Sequence, residues 1–212
     1  MIVPMKNLLY PFLIICAMST TNTISAQELA STPYEIPSNY LERHPIYDYS
    51  ETTLNNIDSI PDFETKKERL VLSGTIYQSD GVTPAKDVIL YISQPDEDGD
   101  YLMKKANDKR YVHHRGWIKT DADGKYTFYT FIPGNFWRNK EVKHIHPVIK
   151  EPGKPEQELA VFLFDNDPFL GKTCRKRMAK KGIDTILKVE KRENMFVATK
   201  DIILNQDNTE VK

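Results

Sequence analysis

The sequence predicts an all-β protein: an antiparallel β-sandwich over residues 67–206, with an irregular N-terminal arm before it and one short helix inside it. Two observations predict this. Apolar runs of five to eight residues recur along the stretch, short for helices and ordinary for strands. Clusters of Gly, Asp, Asn and Pro separate these runs, marking turns between them.

In chain order, Leu70-Val71-Leu72-Ser73-Gly74-Thr75-Ile76-Tyr77 reads as the first strand, and Ser79-Asp80-Gly81 as a turn. Val88 to Ile92 is a continuous apolar run, the pattern of a strand buried on both faces. Asp96 to Asp100 is an acidic turn. Trp117 to Thr120, the turn Asp121-Ala122-Asp123-Gly124, and Tyr126 to Phe131 read as a hairpin. Val142 to Ile149 and Leu159 to Phe164 add two strands, and Phe196 to Leu204 one or two more. Lys172 to Lys181 is the helical stretch. It carries six basic residues on a solvated face, while Cys174 and Met178, four apart, turn inward. Residues 207–212 are a polar tail.

Upstream, residues 27–66 are polar and punctuated by Pro33, Pro37, Pro45 and Pro61, yet Tyr34, Tyr40, Tyr47 and Tyr49 interrupt them. Disordered tails are poorer in aromatics, so an arm docked near Tyr47 and a tether near Gln27 are expected. Residues 1–26 read as an export signal: Lys6, the apolar stretch Leu8 to Met18, and Thr23-Ile24-Ser25-Ala26 before Gln27. The apolar run is short for a membrane span. A lipid anchor on Cys16 is the lesser alternative, because Ile15 before it is not small. An exported protein, free or surface-held, is expected. After cleavage at Ala26 only Cys174 remains, so no intrachain disulfide can form.

The chain has 212 residues, 40% hydrophobic and 28% charged, ordinary values for one soluble domain with a sizeable core. A net charge of −1 gives no reason to expect a nucleic-acid or acidic-membrane partner. The oligomeric state is not legible. A hydrolase is disfavoured, since there is no G-x-S-x-G and Cys174 has no histidine near it in sequence.

The chemistry concentrates at His144-Ile145-His146. Residues i and i+2 of a strand share a face, so two imidazoles there can grip one metal ion from a rigid element. Upstream stand Gly74-Thr75-Ile76 with Asp80-Gly81-Val82-Thr83-Pro84, then Asp98-Gly99-Asp100-Tyr101, then Arg115-Gly116-Trp117 leading to Thr120-Asp121-Ala122-Asp123-Gly124-Lys125-Tyr126. Ile132-Pro133-Gly134-Asn135-Phe136-Trp137-Arg138 follows, and Phe164-Asp165-Asn166-Asp167-Pro168 comes after the histidines.

In order and spacing these motifs resemble the intradiol ring-cleavage dioxygenases, the catechol and protocatechuate dioxygenase family. The resemblance covers about residues 67–206. It implies a non-haem Fe(III) cofactor and a small aromatic diol and O2 as partners, with ring opening between the two hydroxylated carbons. By the same resemblance Tyr101, His144 and His146 are metal ligands. Phenolate is a hard anionic donor suited to trivalent iron, and imidazole suits iron well.

Two positions depart from the family's pattern, and a third stands beside one of them. Phe136 stands where the resemblance places a second ligand tyrosine, and a phenyl ring cannot bind iron. Glu141 replaces an arginine that would steady negative charge on the substrate, with Lys143 nearby as a substitute. These three are the altered catalytic positions. Tyr111, Tyr129, His113 and His114 are candidate replacements for the lost ligand. His113 and His114 are adjacent, so on a strand at most one points at the metal, and a solvated loop pair is the plainer reading. The alternative function is a non-catalytic exported binding module. Small sandwich repeats share the Gly-rich start and the T-D-x-x-G-x-Y-x-F hairpin, but they lack H-x-H.

Overall fold

The structure, a computed structural model, describes residues 36–49, 53–136 and 138–204. The export signal read over residues 1–26 and the tail at 207–212 lie outside the described residues. The strands are β1 (Ile57–Ser59), β2 (Arg69–Tyr77), β3 (Ile89–Ser93), β4 (Met103–Ala106), β5 (Lys109–Val112), β6 (Arg115–Lys119), β7 (Lys125–Phe131), β8 (His144–Lys150), β9 (Glu156–Glu158), β10 (Phe162–Phe164), β11 (Ile186–Leu187), β12 (Glu190–Arg192), β13 (Met195–Thr199) and β14 (Ile202–Ile203), and the helix is α1 (Lys172–Lys180). Among the described residues no helix is long and apolar enough to cross a membrane.

Two sheets enclose the core. One runs β1-β7-β2-β13-β12 with β14 also on β2, and the other runs β11-β10-β8-β3-β6 with β9 on β8; β4 and β5 form a separate hairpin. Each sheet turns its alternate residues inward. Leu70, Leu72, Ile76 and Phe128 of the first sheet meet Leu90, Ile92, Ile118, Ile145 and Phe164 of the second. At about 25 cal/mol per Å² of apolar surface buried, this shared interior is what makes the strand pattern stable.

The sandwich is mixed, not antiparallel throughout as its turns suggest. β1–β7, β13–β2, β14–β2 and β10–β11 pair in parallel. The reason is topological. Within one sheet a tight turn joins antiparallel neighbours, whereas parallel partners need a long crossover; the turn at Asp121–Gly124, read as that of a hairpin, instead carries the chain from β6 of the second sheet to β7 of the first. The parallel partners here are far apart in sequence or joined through α1, where turn residues carry no information about pairing.

Residues 37–49 lie as an arm on the outer face of the second sheet. Ile46 is fully buried with Tyr91 and Val148, and Tyr47 and Trp117 close over them. Polar groups fix the arm's register: Trp117 Nε1 donates to the Pro45 carbonyl (3.1 Å), Lys109 Nζ to the Arg43 carbonyl (2.7 Å), and Tyr47 Oη to Glu156 (2.6 Å). Lys109 also pairs with Asp48 at 2.7 Å, both nearly buried. The segment read as an irregular arm thus includes a 3-10 turn at Pro45–Tyr47 and, further on, a strand, β1. Helix α1 sets Met178 and Cys174 against Leu163 and Leu170, the inward pair its four-residue spacing predicts.

Candidate metal centre

Strand β8 carries the pair His144 and His146. Between them Ile145 is fully buried in the core, so the pleat turns both imidazoles to the outer face. Their ring centroids are 4.8 Å apart, with planes nearly perpendicular. His146 sits opposite Ser93 of β3, and His144 opposite Leu163 of β10, so both come from the interior of the sheet and not from an edge. His144 Nδ1 lies 2.8 Å from the Val142 carbonyl, a contact that requires an N–H donor there and leaves Nε2 with its lone pair outward.

Tyr101 completes the group. Its hydroxyl lies 2.8 Å from His144 Nε2 and donates to it, and its ring centroid is 6.1 Å from that of His144 and 6.3 Å from that of His146. Two glycines bring it there. A Cβ on Gly134 would stand 2.1 Å from the Glu97 carbonyl oxygen, and one on Gly99 would stand 2.5 Å from the backbone of Asn135. Gly99 also has φ +86°, a conformation that side-chain-bearing residues rarely adopt. The acidic turn is therefore pressed onto the 133–136 loop, with the Gly134 N–H donating to the Asp96 carbonyl (2.8 Å). Asp96 Oδ1 accepts from the N–H groups of Asp98 and Asp100 and holds the turn in shape.

Electrostatics at the group favour neutral forms. Burial, helped by the neighbouring His144, lowers the His146 pKa to about 4, so its imidazole is neutral at ordinary pH. Burial pushes the Tyr101 phenol well up, and the nearby charge of Glu141 pushes it further. Without a cation it stays protonated. Two imidazoles and a phenol within hydrogen-bond reach of one of them form a donor set that fits a hard or borderline metal ion.

The three altered positions fall in different places. Phe136 is half-buried on the loop whose backbone abuts Gly99, and its carbonyl accepts from the N–H groups of Asn139 and Glu141. It offers no donor atom to a metal. Glu141 is exposed and near enough to Tyr101 to oppose a phenolate, the reverse of an arginine's effect. Lys143 lines a separate groove with Lys67, Glu97 and Asp98. Of the candidate replacement ligands, Tyr111 stacks under the Arg115 guanidinium at 3.9 Å, and Tyr129 lies on β7 of the other sheet against Phe63.

His113 and His114 lie in a loop, as the plainer reading has it, but not a solvated one. They sit in a bend between β5 and β6, not on a strand, and both rings approach Asp62. His114 is 1% exposed, so it is not part of a solvated loop.

One supporting residue carries more than its motif suggested. Asp167, in the Phe164–Pro168 motif, is buried and accepts from Asn135 Nδ2 (2.8 Å), from the Lys143 N–H and from the Phe169 N–H (2.6 Å). Asn135 Nδ2 also donates to the Glu141 carbonyl (3.1 Å). Together these bonds tie the Phe136 loop to the residues leading into His144. The Asp-Pro dipeptide was the visible signal, but its partners are distant in sequence.

A scan against models of known protein families finds no match, and a search of curated proteins finds none either. Solved structures do match. The dioxygenase domain of a dioxygenase–carbohydrate-binding fusion protein from Streptomyces sp. SirexAA-E superposes with a TM-score of 0.55 at 23% identity, over 74% of this chain and 92% of that one. An intradiol ring-cleavage dioxygenase from Tetranychus urticae gives 0.51 at 19% identity, over 73% and 88%. Catechol 1,2-dioxygenase from Acinetobacter sp. ADP1 gives 0.55 at 15% identity, over 74% of this chain and 60% of that longer one. At such identities it is the course of the backbone that is shared, and on that ground the chain has the fold of the intradiol ring-cleavage dioxygenases.

Proposed function

We propose that this protein is an exported non-haem iron oxidoreductase that opens a catechol-type ring between its two hydroxylated carbons. The observation that carries the reading is the meeting of the Tyr101 hydroxyl with His144 Nε2 beside His146, on a fold shared with dioxygenases. Export rests on the reading of Lys6, Leu8 to Met18 and Ala26 as a leader.

Tyr101, His144 and His146 would hold the ion. Ferric iron held there would supply a Lewis acid that both hydroxyl oxygens of the diol can chelate, leaving the ring electron-rich enough for attack by O2. The chain's own residues prepare this. The Val142 carbonyl fixes the His144 tautomer, so that no proton has to leave Nε2 before it binds. His146, already neutral, needs none to leave either. Tyr101 has to give up its phenol proton, which burial and Glu141 resist and only a bound cation favours. The residue is 39% exposed, so that proton has a path to water. Phe136 provides neither a fourth ligand nor a base. With no second tyrosinate to take them, the diol's protons would pass to solvent.

A non-catalytic binding module is the second reading, favoured by Phe136 and Glu141 standing at the two altered positions. One experiment separates them. The purified protein is loaded with iron, its visible spectrum recorded, and oxygen uptake followed with catechol, protocatechuate and hydroxyquinol. A tyrosinate charge-transfer band together with uptake supports the enzyme. A band without uptake on any diol supports the binding module, and iron binding without the band removes Tyr101 from the site.

A further inference from the structure

We propose that Asp62, His113 and His114 form a second metal site, separate from the Tyr101 group, that takes a divalent transition-metal ion, zinc foremost. Asp62 Oδ2 is 2.9 Å from His113 Nε2 and 3.4 Å from His114 Nε2, and one ligand atom from each residue falls within 4.8 Å of the others. Bonds of about 2.0–2.1 Å to a tetrahedral ion set ligand atoms about 3.3 Å apart, so an ion fits here with small adjustments. Two imidazoles and one carboxylate with an open fourth position are a zinc donor set.

The independent pointer is His114. It is 1% exposed, and neither of its ring nitrogens has a hydrogen-bond partner among the described residues. Its Nε2 faces Asp62 at 3.4 Å without hydrogen-bond geometry. Buried polar groups are almost always satisfied, and an orphaned nitrogen aimed at a carboxylate beside a second imidazole is accounted for by a ligand between them. The backbone serves the same end. The bend at His113 and His114 lets adjacent residues present rings 5.1 Å apart to one point, and Asp62 takes the left-handed conformation (φ 67°) at the start of a 3-10 turn. The competing cations are Lys104 and Lys66. Lys104 Nζ lies 3.2 Å from His113 Nε2, but the residue is exposed and free to swing away. Lys66 is held over the Phe131 ring at 4.6 Å and near Glu97 at 3.7 Å. The His113 N–H donates to the carbonyl of Leu102 (2.8 Å), the residue after Tyr101. An ion here would clamp the Asp62 loop to the bend that backs the Tyr101 segment.

The test is calorimetric titration of metal-stripped protein with zinc alone. The His144→Ala/His146→Ala double variant removes the first group and is expected to bind one zinc per chain. Asp62→Gly suits the left-handed backbone and removes the carboxylate, and His113→Ala removes an imidazole that is not in the core. Each, in the double variant, is expected to weaken zinc at least 100-fold; in the otherwise native chain each lowers the zinc stoichiometry by one. His114→Ala opens a hole beside Phe131 and is read only alongside a circular-dichroism check of folding. No zinc bound by the double variant, or equal affinity in Asp62→Gly and His113→Ala, overturns the site.

Discussion

The molecule holds two histidine pairs whose rings are about equally close and whose origins are opposite. His144 and His146 are two apart on a strand, 4.8 Å between centroids, and the pleat alone puts them on one face. His113 and His114 are adjacent, 5.1 Å between centroids, and only a bend brings them together. The pairs also differ in how they are satisfied. His144 has the Val142 carbonyl on one nitrogen and the Tyr101 hydroxyl on the other. His114 has neither nitrogen bonded among the described residues, although it is the more deeply buried. A regular element sets ligand direction by period and leaves its neighbours free to supply hydrogen bonds. A bend sets direction by tertiary contact, and here it leaves a buried ring whose nitrogens have no hydrogen-bond partner among the described residues, facing a carboxylate.

The largest effect that sharpens this contrast is on iron. His144→Ala and His146→Ala should each weaken iron by more than the roughly 10–100-fold that losing one supporting hydrogen bond costs. The sandwich should stay folded, because Ile145 and not the histidines fills the core. Iron content after gel filtration, with circular dichroism alongside, checks both halves. Equal iron retention in His113→Ala and loss in His146→Ala would keep the two pairs distinct; loss in both would merge them into one site.

Next comes the support of Tyr101. Gly134→Ala drives a methyl to 2.1 Å from the Glu97 carbonyl oxygen. Overpacking against backbone costs about 3 kcal/mol, measured by urea unfolding. It should also dim the tyrosinate band of iron-loaded protein, since the 96–100 turn is displaced. Full stability and full colour together would show that the glycine contact does not position Tyr101.

A smaller effect tests the orphaned ring. In metal-free protein, His114→Phe replaces a buried unsatisfied polar group with an apolar one of similar shape. Stability is expected to stay within about 1 kcal/mol of the parent or to rise, where an ordinary buried hydrogen-bonded side chain would lose about 1–3 kcal/mol. A loss in that range would mean His114 is hydrogen-bonded after all.

The smallest is a slope with pH. His146 titrates near 4 in the folded chain against 6.5 for the free group, so between those values the unfolded chain binds a proton that the folded chain does not. Metal-free stability therefore falls as pH drops from 6.5 towards 4. Burial lowers His114 in the same direction and adds to the fall. His146→Gln should flatten the slope in part, leaving the share that belongs to His114. An unchanged slope in His146→Gln would place the whole effect elsewhere.

How far each part was legible follows from these same residues. The strands of the core were readable from apolar runs and turn residues, and the sharing of a face by His144 and His146 from their spacing. Tyr101 was readable only through the ordered motif around it. No local pattern placed its hydroxyl beside Nε2, which two glycines on separate loops accomplish.

By itself the sequence determined the all-β class, the inward pair on the helix and the strand that carries two imidazoles. Each depends on periods of two or four residues, a property of neighbours in the chain. Only the tertiary structure decided the parallel pairings of β1, β11, β13 and β14, the seat of the arm on Tyr91 and Trp117, the brace from Asp167 to Asn135, and the meeting of Asp62 with His113 and His114. Those contacts join segments distant in sequence, or turn on a bend. Closure of the core sets which groups meet there, and no periodic pattern records it.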